Sequence, residues 1–289
     1  MSETRQLDAD WARANPLPDL AGAADKDARG QLLLVGGGPS SPAALLLTAE
    51  AGFRAGAGRV RIATAAAMTP HLAVALPEAG LVPLPVTASG TFGTRALALL
   101  DHQRADAVIA GTGMSDRAQA ARIARRLLAC DDAARAILLD AAACACAGPL
   151  ADAIAARRGS VVLTPHPGEM AELIDSDVEA VCADQEAVAR EAARRFGAIV
   201  ALRSVETIVA APDGRTVRYA GGGVGLATGG SGDVAGGIIG GLLARHADPF
   251  VATAWGVLLH GEAGRRLGPP GFLARELPPL VPGLIAELS

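Results

Sequence analysis

Apolar residues fall in short blocks separated by stretches of helical period, a rhythm that predicts an α/β fold. Gln31–Val35, residues 105–110, Ala136–Leu139, and residues 160–163 and 198–202 are nearly continuous apolar runs. Such runs suit strands buried on two faces. Residues 59–63 alternate in strand fashion. Residues 43–54, opened by Pro42 as a first-turn proline, together with 116–129 and 187–196, carry helical periodicity. The rhythm then changes. Residues 207–211, the turn Pro212-Asp213-Gly214 and residues 216–219 read as a β-hairpin, followed by helices over 231–245 and 249–266. The expectation is a mainly parallel central sheet with helices on both faces and an antiparallel hairpin at one edge. Residues 26–289 would form one domain, preceded by a loosely attached polar arm over residues 1–25.

Composition sharpens this. Hydrophobic residues make up 51% of the 289 positions but aromatics only 3%, so the core must be built from Ala, Val, Leu and Ile. The 35 glycines cluster at strand-to-helix junctions, where tight loops approach a ligand. The net charge of −4 comes from interspersed acids and bases without a basic stripe, which argues against nucleic acid. No apolar run approaches the roughly 20 residues a membrane span requires, and the N-terminal stretch lacks an apolar core, so neither anchor nor leader is expected. Cys130, Cys144, Cys146 and Cys182 lack the paired spacing of a zinc site and are expected as buried free thiols in a reducing, cytoplasmic setting.

The strongest chemical signal is Gly229-Gly230-Ser231-Gly232-Asp233 at the start of a helix. Glycines let backbone N–H groups approach a phosphate, and the helix start favours an anion. A carboxylate there competes with the phosphate unless it works as a base on an attacking hydroxyl, the role expected of Asp233. The plainer alternative is a carboxylate that only complements the helix dipole. Three further residues carry two readings. His166 between two prolines, Glu169 behind it and Asp140 after a buried strand are either site residues or caps and turns. Strand ends are where open α/β sheets bind ligands.

Residues 225–244, taken with Thr164-Pro165-His166-Pro167-Gly168-Glu169-Met170, resemble the ADP-dependent NAD(P)H-hydrate dehydratase family of the ribokinase-like superfamily. Arg54-Ala55-Gly56-Ala57-Gly58, Gly111-Thr112-Gly113-Met114, Asp248-Pro249-Phe250 and His260-Gly261 extend the likeness over most of the chain. The resemblance implies repair of hydrated NADH and NADPH. ADP, or ATP in some members, phosphorylates the hydroxyl of the hydrated ring, and phosphate then leaves. By the same resemblance Asp233 is the base, Ala44, Gly113, His166 and Asp233 contact the substrate, and Arg203, Ser204, Val205, Glu206, Thr207, Gly229, Gly230, Ser231 and Gly232 hold the nucleotide. Magnesium is implied as a partner of the phosphates rather than a caged ion. A homo-oligomer and a separate NAD(P)H-hydrate epimerase are implied as well, since nothing before Gln31 is expected to hold an epimerase domain. The sequence departs from the family's pattern where Arg203-Ser204 replaces Lys-Gly, Glu206 adds a charge, and Asp140-Ala141-Ala142 lacks a second carboxylate. Two alternatives stay open: an ATP-dependent kinase of a small alcohol, and a nucleotide-binding homologue without turnover.

Overall fold

Side chains along a strand alternate between the two faces of a sheet, so a strand covered on both sides needs apolar residues at every position. In the computed structural model, which describes residues 4–20, 22, 25–38, 41, 43–130 and 136–289, the apolar runs obey this rule. The strands are β1 (Arg5–Gln6), β2 (Gln31–Val35), β3 (Arg59–Ala65), β4 (Gly80–Leu84), β5 (Ala107–Ala110), β6 (Ala136–Leu139), β7 (Val161–Leu163), β8 (Ile199–Arg203), β9 (Glu206–Ala210) and β10 (Thr216–Ala220). Leu32, Leu34, Ile109 and Leu138 join the core on one face, while Leu33, Val35, Val108 and Ile137 join the core on the other.

The ten strands form one sheet in the order β1-β10-β9-β8-β7-β6-β5-β2-β3-β4. From β4 through β8 every pairing is parallel; β9 runs antiparallel to β8 and to β10. The hairpin is therefore the antiparallel addition expected, but it is not the outermost element. Strand β1 pairs parallel to β10 and lies beyond it.

That pairing corrects the expectation of a loosely attached arm. Asp8 caps the helix Ala9–Ala14 by accepting from the Trp11 N–H, and Leu7, Trp11 and Ala12 are buried in the core. The Trp255 indole donates to Asn15 O at 2.7 Å, which ties the arm to the long helix Pro249–Leu267. The thiols also depart from expectation: Cys144 is buried, Cys182 is exposed, and Cys130 and Cys146 lie between. The proline expected to open the helix Ala44–Arg54, Pro42, falls outside the described residues.

The glycine-rich helix Ser231–Ala244 is apolar on all sides because it is enclosed on all sides. A side chain on Gly240 would strike Ile109 of β5. One on Gly241 would begin 2.5 Å from Gly52 O in the helix Ala44–Arg54, and one on Gly237 would strike Thr48 O of that helix. Glycine lets the two helices meet backbone to backbone. This contact fixes where the helix begins, and its beginning is the candidate site.

Candidate active site

Three neighbouring parallel strands end at the same edge of the sheet, so the residues that follow them are brought together by register alone. Asp140 follows β6, Thr164 follows β7 and Arg203 closes β8. Asp140 is almost fully buried. Its Oδ1 accepts from Thr164 Oγ1 at 2.7 Å and from Arg203 Nη2 at 3.1 Å, while Arg203 Nε donates to Thr164 O at 2.9 Å. Asp140 opens the short helix Ala141–Ala145 but makes no side-chain cap, so its carboxylate serves the guanidinium. The next residue, Ala141, is held at φ +47°, a left-handed conformation that costs an alanine about 1–2 kcal/mol.

The start of the glycine-rich helix faces this cluster. Gly230 sits before the first turn at φ +89°, a conformation that suits glycine, and supplies no side-chain cap. The Ser231 N–H donates to Thr228 O, whereas the N–H groups of Gly232 and Asp233 have no acceptor among the described residues. Uncapped amides at a helix start form an anion site. Arg203 adds a fixed positive charge, because a side chain on Gly232 would begin 2.7 Å from its Nη1.

Asp233 reaches into a cavity of about 670 Å³ whose lining includes Ala44, Leu47, Leu76, Gly229 and Gly230. A carboxylate in a first helical turn is ordinarily stabilised in its charged form. Here burial, aided by repulsion from Asp140 and only partly offset by Arg203, pushes the Asp233 carboxyl up to about 7. That value is matched to taking a proton near neutral pH.

The other residues expected from sequence are distributed around this centre. Ala44 lines the cavity, and a side chain on Gly113 would begin 3.2 Å from the Ala44 Cβ, so these two meet. His166 stands apart from the cavity lining. Its Nδ1 accepts from the N–H groups of Gly168 and Glu169 at 3.0 and 3.3 Å, capping the helix Pro167–Ile174. Glu169 completes the capping box by accepting from the His166 N–H at 3.0 Å. Burial raises the Glu169 carboxyl above its usual range, against the lowering effect of that hydrogen bond. In the turn after β8, Ser204 and Val205 are exposed, with Val205 at 92%. Thr207 lies in β9, and Glu206 is engaged by Arg218 at 3.3 Å. Ser231 is turned inward, its Oγ 2.9 Å from His260 Nε2.

Sequence reasoning gave no role to His260. Burial first, then Arg203, lowers its imidazole to about 4, with Ser231 pulling weakly the other way, so the ring under the anion loop is neutral at pH 7. Among the described residues no three His, Cys, Asp or Glu side chains converge as a metal cage, and no helix is long and apolar enough to cross a membrane.

A family model described as NAD(P)H-hydrate dehydratase matches residues 32–271. An ADP-dependent (S)-NAD(P)H-hydrate dehydratase of Xanthomonas campestris pv. campestris is 40% identical over 98% of this chain and 97% of its own length. A bifunctional NAD(P)H-hydrate repair enzyme of Escherichia coli is 32% identical over 87% of this chain, which matches 47% of that relative. Among solved structures, an ADP/ATP-dependent NAD(P)H-hydrate dehydratase of Bacillus subtilis co-crystallised with ATP/Mg²⁺ superposes with a TM-score of 0.82, at 24% identity and with both chains fully covered. The phosphofructokinase-2 of Escherichia coli shares the fold at a TM-score of 0.61, covering 89% of this chain and 99% of its own.

Proposed function

Since the chain belongs to the NAD(P)H-hydrate dehydratase family, we propose that it returns hydrated NADH and NADPH to the normal cofactors in an ADP-dependent reaction, with Asp233 as its base. The observation that carries the assignment is the pairing of a carboxyl tuned to about 7 with uncapped amides one residue away.

The proposed chemistry explains why a nucleotide is needed. Hydroxide leaves a saturated ring carbon poorly, and a phosphate ester leaves well. Asp233 takes the proton of the ring hydroxyl as its oxygen attacks the terminal phosphorus of ADP, and AMP departs. The ring-nitrogen lone pair then expels phosphate, and loss of a neighbouring ring proton restores the double bond. The amides of Gly232 and Asp233 and the Arg203 guanidinium would hold the charge on the transferred group. Arg203 can do this only if it is fixed, and Asp140 with Thr164 O supplies that anchorage. Arginine in place of lysine offers a planar fork rather than a point charge, so two phosphate oxygens can be met at once. The nucleotide would lie between this loop and the turn Arg203 to Thr207, and the reacting ring near Ala44, Gly113 and Asp233. His166 would contribute as the residue that fixes the helix start facing the site.

Magnesium, in this proposal, travels with the ADP phosphates. It would be held mainly by phosphate oxygens and water, as this small, hard ion usually is at a nucleotide. The relative that is named for the (S)-hydrate supports a separate epimerase as functional partner, since the opposite epimer must be converted before it can be used. Free thiols and a reduced-cofactor substrate support a cytoplasmic setting. Homo-oligomeric assembly belongs to the same proposal and rests on the family resemblance alone.

The test is to incubate the purified protein with hydrated NADH, ADP and magnesium and follow recovery of the reduced-nicotinamide absorbance. Asp233→Asn should lower turnover by about 10²–10⁴ while ADP still binds. Turnover near that of the wild type in this variant would remove Asp233 from the role of base.

A further inference from the structure

The cavity beside Asp233 has an unusual balance of charge. Its walls are largely apolar, with Leu46, Leu47 and Leu76 among them, and its charged lining residues are Asp233, Glu50 and Arg275. Two of the three are acids. A dinucleotide substrate brings a diphosphate bridge with two further negative charges. With Asp233 and Glu50 alone, such a ligand would be repelled from the cavity that must receive its reactive ring.

Among the described residues, Arg275 is the only positive charge in that lining. It lies in the one-turn helix Ala274–Glu276, near the C-terminus of the chain. Its neighbour Ala274 packs at the anion loop, where a side chain on Gly230 would begin 3.3 Å from the Ala274 Cβ. The turn is pinned by Glu276, whose carboxylate accepts from the Leu273 N–H at 2.6 Å. Arg275 is exposed and makes no hydrogen bond or ion pair with the described residues. By contrast Glu50, on the other wall, already has Arg54 within 3.6 Å. The structure thus holds an uncommitted guanidinium, on a pinned turn, at the edge of an apolar cavity that ends in the base.

We propose that Arg275 is a specificity-determining residue that binds the diphosphate bridge of the dinucleotide, while the nicotinamide end occupies the apolar cavity against Asp233. The inference rests on the dehydratase reading above and adds to it the recognition of the non-reacting part of the substrate. A planar guanidinium pairs two phosphate oxygens in one plane, which suits a diphosphate. The contact is made equally to NADH and NADPH.

Binding of the reduced dinucleotides, read from dihydronicotinamide fluorescence, tests this without need of turnover. The proteins are the wild type, Arg275→Ala, Arg275→Lys and Asp233→Asn; the ligands are NADH, NADPH and the phosphate-free reduced nicotinamide riboside. Arg275→Ala should weaken NADH and NADPH alike by about tenfold or more, the worth of a hydrogen bond to a charged group. Arg275→Lys should recover part of that loss, and the riboside should bind both proteins equally. An NADH affinity unchanged in Arg275→Ala overturns the proposal. So does a loss confined to NADPH, which would assign the guanidinium to the 2′-phosphate. An equal loss with the riboside overturns it too, because the effect would then be one of cavity shape. Asp233→Asn separates the two readings. If it turns over hydrated NADH at the wild-type rate while Arg275→Ala still weakens NADH, the base assignment falls and the Arg275 assignment stands.

Discussion

The glycine-rich helix uses one residue type for opposite purposes at its two regions. In its first turn, glycine leaves amides open: Gly229 and Gly230 line a cavity, Gly232 lies against the Arg203 guanidinium, and the N–H groups of Gly232 and Asp233 have no acceptor among the described residues. Further along, glycine closes space, and Gly237 and Gly241 bring the helix Ala44–Arg54 against it with nothing larger than the Ala51 and Ala55 methyls at the contact. The lesson is that a run of glycines does not by itself mark a ligand loop. What distinguishes the regions is the partner each glycine meets, a guanidinium and an open cavity in one, carbonyl oxygens of a neighbouring helix in the other.

Volume should break the second region and charge the first. Gly241→Val places a branched side chain 2.5 Å from Gly52 O, a backbone atom that cannot swing aside. A loss of at least about 3 kcal/mol in the urea-unfolding free energy is expected, with a lower yield of folded protein. A near-neutral substitution would mean that the two helices separate without penalty.

The first turn should respond to pH. Asp233 accepts a proton only when ionised, and its carboxyl lies near 7 in the folded protein. Accordingly kcat/KM should be flat above that value and fall about tenfold per pH unit below it. An inflection near 4 instead would show a carboxyl in the ordinary range and would remove the tuning on which the assignment rests.

The smallest effect separates Asp233 from His260. Folding depresses the His260 imidazole from 6.5 to about 4, so the stability it contributes is present above 6.5 and lost as pH falls toward 4. Asp233 is raised from 3.8 to about 7, so its contribution is fully present below 3.8 and lost as pH rises toward 7. The two oppose each other between 4 and 6.5. Asp233→Asn should unmask the histidine, and its stability should fall more steeply on acidification than that of the wild type, by on the order of 1–3 kcal/mol. Parallel urea midpoints for the two proteins across that window would count against the opposed pair.

Most of the sheet was legible in sequence because strands buried on two faces leave uninterrupted apolar runs, as Gln31–Val35 and Ala136–Leu139 do. Strand β4 gave no such signal. Pro83 interrupts it, and an edge strand tolerates proline and exposed positions. The two-residue β1 is too short to show a period, and the burial of Trp11 depends on a partner far along the chain, Phe250, whose ring lies 6.3 Å away.

At the site, Gly230 to Asp233 was legible because its chemistry is local. The roles of His260 and Arg275 were not: His260-Gly261 showed only as part of the resemblance, Arg275 sits in no pattern, and each reaches the site from a C-terminal segment. His166 illustrates the reverse case. His-Pro-Gly-Glu carries the three-residue spacing of a capping box, and the structure uses it as one. Asp140 looked equally like a cap. Only the register of β6 against β7, with Leu139 beside Leu163, shows why its carboxylate lies beneath Arg203.

The parallel pairing of Arg5 and Gln6 with β10 has a consequence for handling the molecule. Those few residues shield the outer rim of the hairpin, the flank opposite the one that joins β8. Trimming them would bare a row of main-chain donors and acceptors on β10, a template on which a second molecule can add its own strand. A shortened chain would then keep its chemistry intact and still come out of solution.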